Sequence, residues 1–142
     1  MKVRDIMSDK VIGISPDETV EVAARQLAQY NIGALPVCGT DAKLCGLVTD
    51  RDLVIRCMAA NRSASHTKVR DVMTSQVVSV KPEMEIGVAA HLMGRQQVRR
   101  LPVTEEGRLC GMISLGDLAN REESVMDAAD ALTDITSNIS ER

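Results

Sequence analysis

Two short segments of the chain place a hydroxyl and a carboxylate at the same spacing. Thr49 precedes Asp52 in the stretch GLVTDRDL, and Ser114 precedes Asp117 in the stretch GMISLGDL. An ionised carboxylate accepts two parallel hydrogen bonds, which suits the two neighbouring hydroxyls of a ribose. A hydroxyl beside the free amides at the beginning of a helix suits an anion such as phosphate. Each segment therefore fits a site for a ribose and its phosphate.

The same spacing also fits a purely structural role. Thr49 or Asp50 is a suitable helix N-cap, and Asp52 in the first helical turn complements the helix dipole without binding a ligand. Asp50 and Arg51 have no counterpart in the second segment, so the two segments share only the hydroxyl and the last Asp. Spacing alone leaves both interpretations open.

The two segments close two copies of an internal repeat. Residues 3–37 align with residues 69–103 at an offset of 66, with about a dozen identities in 35 positions. After the loss of one residue in a turn, LCGLVTDRDL aligns with LCGMISLGDL at an offset of 65. We assign repeat 1 to residues 1–58, a linker to residues 59–68, repeat 2 to residues 69–121 and a partly helical tail to residues 122–142.

Both repeats predict the same order of elements, β-α-β-β-α. A short helical turn (residues 4–7 and 70–73) precedes a β-rich run, VIGI or VVSV. An apolar stripe at helical spacing then predicts a helix. Its members are Val20, Ala23, Ala24 and Leu27 in repeat 1, and Ile86, Ala89, Ala90 and Met93 in repeat 2. In repeat 1, residues 15–18 (SPDE) fit a capping box with proline at the first helical position.

Two short strands follow that helix in each repeat. We place them at residues 34–38 and 44–49 in repeat 1, and at residues 100–104 and 109–114 in repeat 2. A second helix begins at residue 50 or 115. The fold class is therefore α+β. Three short strands with helices on one face leave the other face bare, so we expect the two repeats to pack sheet to sheet with pseudo-two-fold symmetry.

The tail carries a loose apolar pattern of its own. Val125, Met126, Ala129 and Leu132 stand at helical spacing between polar residues. This predicts a weakly amphipathic helix that covers either the module or a partner.

The composition excludes several classes of protein. With 44% apolar residues the chain is expected to fold, and with one Tyr and no Phe or Trp its core must be aliphatic. A net charge of −3 and the lack of aromatic stacking partners argue against nucleic-acid binding. No apolar run approaches the roughly 20 residues of a membrane span, and the first residues lack a signal-peptide pattern. We therefore expect a cytoplasmic protein whose four cysteines are thiols.

The order of these motifs resembles the CBS domain family, named after cystathionine β-synthase. The marks are the RDIM and RDVM turns, the ALPV and RLPV strands and the two terminal T/S-x-x-D segments, which occur twice in the same order over about residues 3–120. The resemblance implies a stand-alone pair of CBS domains, a regulatory module and not an enzyme. It also implies an adenosine-containing ligand, such as AMP, ADP, ATP or S-adenosylmethionine, bound in a cleft between the repeats.

The resemblance assigns ligand-binding roles to particular residues of two sites. The Asp117 site comprises Ser114, Asp117, Arg99, Arg100 and Met112, with Ile12 and Ile32 from repeat 1. The Asp52 site comprises Thr49, Asp52 and Leu47, with Val78 and Val98 from repeat 2. In both, the resemblance implies that the Asp binds ribose, the hydroxyl faces phosphate and the apolar residues hold the adenine. In the Asp117 site Arg99 and Arg100 also face phosphate.

The two sites are not expected to be equivalent. At the positions of Arg99 and Arg100, repeat 1 has Gly33 and Ala34. Arg51 is a cation that could compensate there, but Asp50 beside it opposes an anion. We therefore expect the Asp117 site to prefer phosphorylated ligands, and the Asp52 site to be weaker, empty or suited to a nucleoside. A solvated strand end is the alternative interpretation of the two arginines.

Two other functions remain open at this point. One is a CBS pair that binds an unknown protein target without any nucleotide. The other is a thiol or metal sensor in which Cys38 and Cys45 approach each other beside His66, although their spacing is not that of a zinc motif. The sequence shows no paired nucleophile and base of the kind that would suggest an enzyme. Because family members pair through their helices and the Ala-rich stripes permit close helix packing, we expect a homodimer.

Overall fold

The structure, a computed structural model, describes residues 1–121 and 124–137. Its helices are α1 (Val3–Ile6), α2 (Val20–Tyr30), α3 (Asp50–Asp52), α4 (Ile86–Gln96), α5 (Leu115–Ala119) and α6 (Val125–Ser137). Its strands are β1 (Ala34–Cys38), β2 (Leu44–Thr49), β3 (Arg100–Glu105) and β4 (Arg108–Ser114). A π-helical segment, Leu53–Met58, continues α3, and short 3₁₀ turns lie at Thr40–Ala42 and Val69–Asp71.

The strands form two small antiparallel sheets, β1 with β2 and β3 with β4. In each sheet an aliphatic pair faces the core: Leu35 opposite Val48, and Leu101 opposite Ile113. All four side chains are buried. The α+β fold class is confirmed, and the strands lie at the predicted positions, with β3 and β4 each one residue longer.

The predicted third strand of each sheet is wrong. The runs VIGI and VVSV each contribute a single parallel bridge, from Ile14 to Val37 and from Val80 to Val103. The amides of Ile14 and Val80 donate to the carbonyls of Pro36 and Pro102. Because a proline has no N–H to donate in return, the ladder does not extend through it.

The predicted capping box at residues 15–18 is also wrong, because α2 begins later. Its N-cap is Thr19, whose hydroxyl accepts a hydrogen bond from the amide of Val22 at 3.2 Å. The hydroxyl of Ser15 instead accepts from the amide of Asp17, which forms a local turn before the helix.

The chain divides into two compact units that do not coincide with the sequence repeats. The first, the α2 unit, comprises Ile12–Val77; the second, the α4 unit, comprises Met1–Val11 together with Val78–Arg142. The turn that opens each repeat belongs to the unit of the other repeat. Val3 and Ile6 lie in the core of the α4 unit, and Val69 and Val72 lie in that of the α2 unit. The opening turn of each repeat therefore packs into the core of the unit that contains the rest of the other repeat.

The segment between the repeats packs onto the beginning of α2. The carbonyl of Thr67 accepts from the amide of Val20 at 2.8 Å, and the carbonyl of Ala64 accepts from the amide of Glu21 at 3.0 Å. Thr67 itself is buried. These bonds satisfy first-turn amides of α2 that have no partner within the helix.

The predicted tail helix exists, but a different face of it is buried. Ala128, Ala131 and Ile135 are buried against the α4 unit, where α6 packs on α4 and α5. The stripe that the sequence indicates, Val125, Met126, Ala129 and Leu132, is exposed. Residues 122, 123 and 138–142 of the predicted tail lie outside the described residues.

Candidate functional site

The hydroxyl and carboxylate of the second motif form a reciprocal cap at the start of α5. The amide of Asp117 donates to Ser114 Oγ at 3.1 Å, and the amide of Ser114 donates to Asp117 Oδ2 at 2.8 Å. β4 ends at Ser114 and α5 begins at the next residue, so the strand end fixes the position of both groups. The structural role that the spacing allows is therefore real. The cap uses Oδ2 of Asp117, and Oδ1 takes no part in it.

Two arginines lie beside this cap. Arg100, the first residue of β3, is paired with Ser114 in the strand register, and the carbonyl of Arg99 accepts from the amide of Leu115 at 2.8 Å. Both arginine side chains are exposed. The hairpin thus brings two cations to the strand end that carries Ser114, with Asp117 one helical turn beyond it.

The first motif forms the same cap in the α2 unit. The amide of Asp52 donates to Thr49 Oγ1 at 3.0 Å, and the amide of Thr49 donates to Asp52 Oδ2 at 3.0 Å. Ala34 is paired with Thr49, and the amide of Asp50 donates to the carbonyl of Gly33. The backbone arrangement of the two hairpins is equivalent, so their side chains decide how they differ.

The two carboxylates differ in access. Asp52 is only 8% exposed, and its Oδ1 lies 3.9 Å from Nε of Arg56. Asp117 is half-buried. Among the described residues its Oδ1 has no hydrogen-bond or ion-pair partner. Arg121 stands at the same spacing from Asp117, but α5 ends at Ala119, so Arg121 does not lie one helical turn above the carboxylate.

Arg56 was missed by the sequence reasoning. It also donates to the carbonyls of Val72 and Met73, at 3.3 and 3.0 Å. Its spacing of four residues from Asp52 was a usable signal for an ion pair. This spacing alone does not predict an ion pair, however. Arg121 has the same spacing from Asp117 but lies beyond the end of α5.

The charges near the first cap also differ from those near the second. A Cβ added to Gly33 would lie 3.6 Å from Asp50 Oδ2, so a carboxylate occupies the place beside the strand start. Asp50 Oδ1 accepts from the amide of Arg51 at 2.8 Å. The α2 unit therefore presents a negative group where the α4 unit presents two positive ones.

The apolar residues assigned to the two sites are divided between the units. Met112, Val78 and Val98 pack on the edge of the α4-unit core, with Met112 held in a bridge to Ser8. Leu47 is half-buried in the α2 unit, held in a bridge to Thr74.

Ile12 and Ile32 pack on the edge of the α2-unit core. The α4 unit thus holds Ser114, Asp117, Arg99, Arg100, Met112, Val78 and Val98. The α2 unit holds Thr49, Asp52, Leu47, Ile12 and Ile32.

The thiols and the linker histidine form no metal cluster. Nδ1 of His66 is hydrogen-bonded to the hydroxyls of Ser63 and Ser65, at 3.1 and 3.0 Å. Within residues 1–121 and 124–137, no three His, Cys, Asp or Glu side chains are grouped so as to hold a metal ion. Burial, and secondarily the neighbouring Cys45, raise the pKa of the Cys38 thiol. The Cys38 thiol is therefore protonated near neutral pH.

No helix in the part of the chain that the structure describes is long and apolar enough to cross a membrane. The caps, the hairpins and the two units together define a pair of related α+β half-modules, each with one hydroxyl–carboxylate motif.

Comparison with known proteins identifies the family. The profile of the CBS domain matches residues 3–58 and 69–124, and the chain belongs to the CBS domain family. It is 40% identical over 134 residues to the CBS domain-containing protein YhcV of Bacillus subtilis, covering 94% of each chain. It is 36% identical to Hypoxic response protein 1 of Mycobacterium tuberculosis over 82% of this chain and 81% of that one.

Two solved structures show the same fold. Hypoxic Response Protein I, solved with two coordinated zinc ions, has a TM-score of 0.80 and 35% identity over 85% of this chain and 98% of its own. The CBS domain pair of protein MJ0100, in complex with 5'-methylthioadenosine and S-adenosyl-L-methionine, has a TM-score of 0.74 over 84% of this chain and 93% of its own. At 24% identity, the second likeness concerns the fold alone.

Proposed function

We propose that this chain is a regulatory CBS pair that binds an adenosine-containing nucleotide through the Ser114–Asp117 motif. In this proposal Asp117 accepts hydrogen bonds from the ribose hydroxyls, and the Ser114 hydroxyl and the arginines Arg99 and Arg100 bind phosphate. Binding then changes the shape or the association of the protein, and an unidentified protein target responds to that change.

One observation carries the proposal: Arg100 is paired with Ser114 beside the carboxylate of Asp117, whose Oδ1 has no hydrogen-bond or ion-pair partner within residues 1–121 and 124–137. A helix cap requires the hydroxyl and one carboxylate oxygen, and it does not involve the two adjacent arginines. A nucleotide needs all of these groups, because its ribose is a hydrogen-bond donor and its phosphate is an anion.

The Asp52 motif supports a weaker site. Its carboxylate is nearly buried and close to Arg56, and Asp50 adds a negative charge. A phosphorylated ligand there meets repulsion and no cation at the strand start. We therefore propose that this motif is empty, or takes a nucleoside-like group, when the Asp117 motif holds a nucleotide.

The two arginines support a phosphorylated nucleotide as the ligand. AMP, ADP and ATP carry phosphate, whereas S-adenosylmethionine carries none, so the arginine pair favours the phosphorylated ligands. Met112 is half-buried near the motif and offers an apolar contact to the base. Ile12 and Ile32 belong to the other unit, and their contribution to adenine binding stays a prediction from the sequence.

A calorimetric titration of the purified protein with ATP, AMP, S-adenosylmethionine and adenosine tests the proposal. Adenine serves as the control, because it lacks the ribose that Asp117 should bind. The proposal expects the phosphorylated ligands to bind more tightly than adenosine, and adenosine more tightly than adenine. If no adenosine compound binds, a CBS pair that acts on a protein without nucleotide becomes the better account.

We also propose that the protein is a homodimer. The support is the exposed apolar surface on the described helices, which includes Val54, Ile55 and Met58 of the π-helical segment. Contiguous exposed apolar residues of this kind are typical of interaction surfaces. Sedimentation analysis that finds only the 15.4 kDa monomer contradicts this part.

A further inference from the structure

The side chain of Arg56 is held at three points beside the first motif. Its Nε lies 3.9 Å from Oδ1 of Asp52, and its Nη1 donates to the carbonyls of Val72 and Met73 at 3.3 and 3.0 Å. The other oxygen of Asp52, Oδ2, accepts from the amide of Thr49 at 3.0 Å. Both oxygens of this nearly buried carboxylate therefore have a partner within the α2 unit.

The π-helical segment Leu53–Met58 determines where Arg56 lies. The segment continues α3, and the amide of Ala59 at its end donates to the carbonyl of Val54 at 2.7 Å. Residue 56 is thus still helical, about one turn beyond Asp52. π-helical turns are rare and are frequent at functional sites. The contact between Arg56 and the carboxylate depends on this continuation of the helix.

The second motif has the same residue type at the same repeat position, without the same contact. Arg121 corresponds to Arg56 at the offset of 65. Because α5 ends at Ala119, Arg121 lies beyond the helix, and within residues 1–121 and 124–137 it forms no ion pair with Asp117. Oδ1 of Asp117 is therefore available to a ligand, whereas Oδ1 of Asp52 is paired with a guanidinium.

We propose that Arg56 is the specificity-determining residue that closes the Asp52 motif to ribose. This rests on the ribose-binding role proposed above for Asp117, and it names the group that makes the two motifs unequal. A ribose hydroxyl that binds Oδ1 of Asp52 must displace the guanidinium. A neutral donor then replaces a cation at a nearly buried carboxylate, which is unfavourable. Arg56 thus occupies the place that ribose takes at Asp117.

The charges that remain without Arg56 define which ligand an open Asp52 motif binds. Asp50 lies beside the strand start, where the second motif has two arginines. With Asp52 it makes two carboxylates, and the neighbouring Arg51 offsets one of them. Such a site repels phosphate, whereas the ribose hydroxyls of an uncharged nucleoside donate to a carboxylate. An open Asp52 motif therefore takes adenosine in preference to ATP.

A calorimetric titration of adenosine tests the role of Arg56 in an Asp117→Asn background, in which the second motif is weakened. The test variant adds Arg56→Gln, which removes the charge and keeps a polar side chain. The matched control adds Arg121→Gln, the same change at the equivalent repeat position. A third variant combines Arg56→Gln with Asp52→Asn. Circular dichroism establishes that each variant is folded, and Arg56→Met replaces Arg56→Gln if that change prevents folding.

The proposal expects Arg56→Gln to raise the affinity for adenosine at least about tenfold over Asp117→Asn alone, and Arg121→Gln to leave it unchanged. The affinity for ATP should rise less than that for adenosine, and adding Asp52→Asn should abolish the gain. An unchanged or weaker affinity for adenosine in Arg56→Gln overturns the proposal. A gain that persists with Asp52→Asn, appears equally in Arg121→Gln or is larger for ATP overturns it as well.

The same measurements separate this proposal from the nucleotide site. If wild type binds ATP through Asp117 and Arg56→Gln gains no adenosine binding, only the role of Arg56 fails. If wild type binds no ATP and Arg56→Gln gains adenosine binding that requires Asp52, only the nucleotide site at Asp117 fails. Absence of binding in wild type and in all the variants contradicts both.

Discussion

Arg100 lies opposite Ser114 in the register of the β3–β4 hairpin. In the other hairpin the same two positions are Ala34 and Thr49. The backbone geometry of the two hairpins is shared, so the difference in their chemistry comes from the side chains. This pairing places positive charge beside one hydroxyl–carboxylate motif and not beside the other.

Replacing the arginine pair should weaken binding of phosphate and not of nucleoside. In Arg99→Gln/Arg100→Gln, we expect the affinity for ATP to fall about tenfold, because exposed charge pairs contribute roughly 0.2–1 kcal/mol each and phosphate contacts more. The affinity for adenosine should change by less than about threefold. Calorimetry measures both. Arg95→Gln, an exposed charge change on α4, is the control and should leave both affinities unchanged.

The hydroxyl of each cap should contribute to stability without any ligand. Ser114→Ala and Thr49→Ala each remove the acceptor of an N-terminal helix amide, and we expect each to lower the free energy of unfolding by about 1 kcal/mol. Urea denaturation monitored by circular dichroism measures the change. Thr133→Ala, at an exposed position within α6, should be neutral or slightly stabilising. Equal stability of all three variants would show that the caps are not structural.

Gly46 should not tolerate a side chain. An added Cβ would lie 2.4 Å from the carbonyl oxygen of Thr74, a backbone atom that bonds to β2. Gly46→Ala therefore forces the strand and the segment at Thr74 apart, and we expect a loss of about 1–3 kcal/mol in the free energy of unfolding. In Gly116→Ala the nearest atom is Ser114 Oγ at 3.7 Å, so this matched variant should change stability by less than about 0.5 kcal/mol. Similar losses in the two variants would contradict the close approach at Thr74.

The thiol of Cys38 should react slowly near neutral pH. Burial is the larger cause, and the neighbouring Cys45 the smaller, of a pKa raised above its ordinary value of 9.0. Because the thiolate is the nucleophile, the rate of Cys38 alkylation by iodoacetamide should reach half its maximum above pH 9.0. Cys45→Ser should lower that midpoint while leaving it above the ordinary value.

Peptide mass spectrometry after timed alkylation gives the rate for Cys38 alone. The raised pKa also links this thiol to folding: its contribution to stability is present below the ordinary pKa and is lost as pH rises through the raised one. A midpoint at or below pH 9.0 in the folded protein would contradict the partial burial of Cys38.

Local pattern predicted the hairpins and the two motifs well. β1 and β3 are short runs of consecutive buried residues, β2 and β4 alternate buried and half-buried residues towards their ends, and T-x-x-D or S-x-x-D at a strand end specifies a cap from local geometry alone. These features depend on neighbours close in sequence. The sequence therefore contains enough information to place them.

Features that depend on distant contacts were not predicted. Ala24 and Ala90 are the same residue type in the same repeat position, yet one is exposed and the other is buried because α6 covers it. Likewise, Thr19 rather than Ser15 caps α2, where the carbonyls of Ala64 and Thr67 meet the first amides. The residue pattern of a single helix or strand does not show which other element will pack against it.

The central claim is that the chain binds a nucleotide through Asp117. Its most direct test is a calorimetric titration of ATP into wild type, Asp117→Asn and Asp52→Asn under identical conditions. Asparagine keeps an oxygen acceptor for the cap but removes the charge that favours the ribose hydroxyls. We predict that Asp117→Asn weakens ATP binding at least about tenfold and that Asp52→Asn changes it by less than about threefold. Equal affinity of wild type and Asp117→Asn, or a loss confined to Asp52→Asn, would contradict the account.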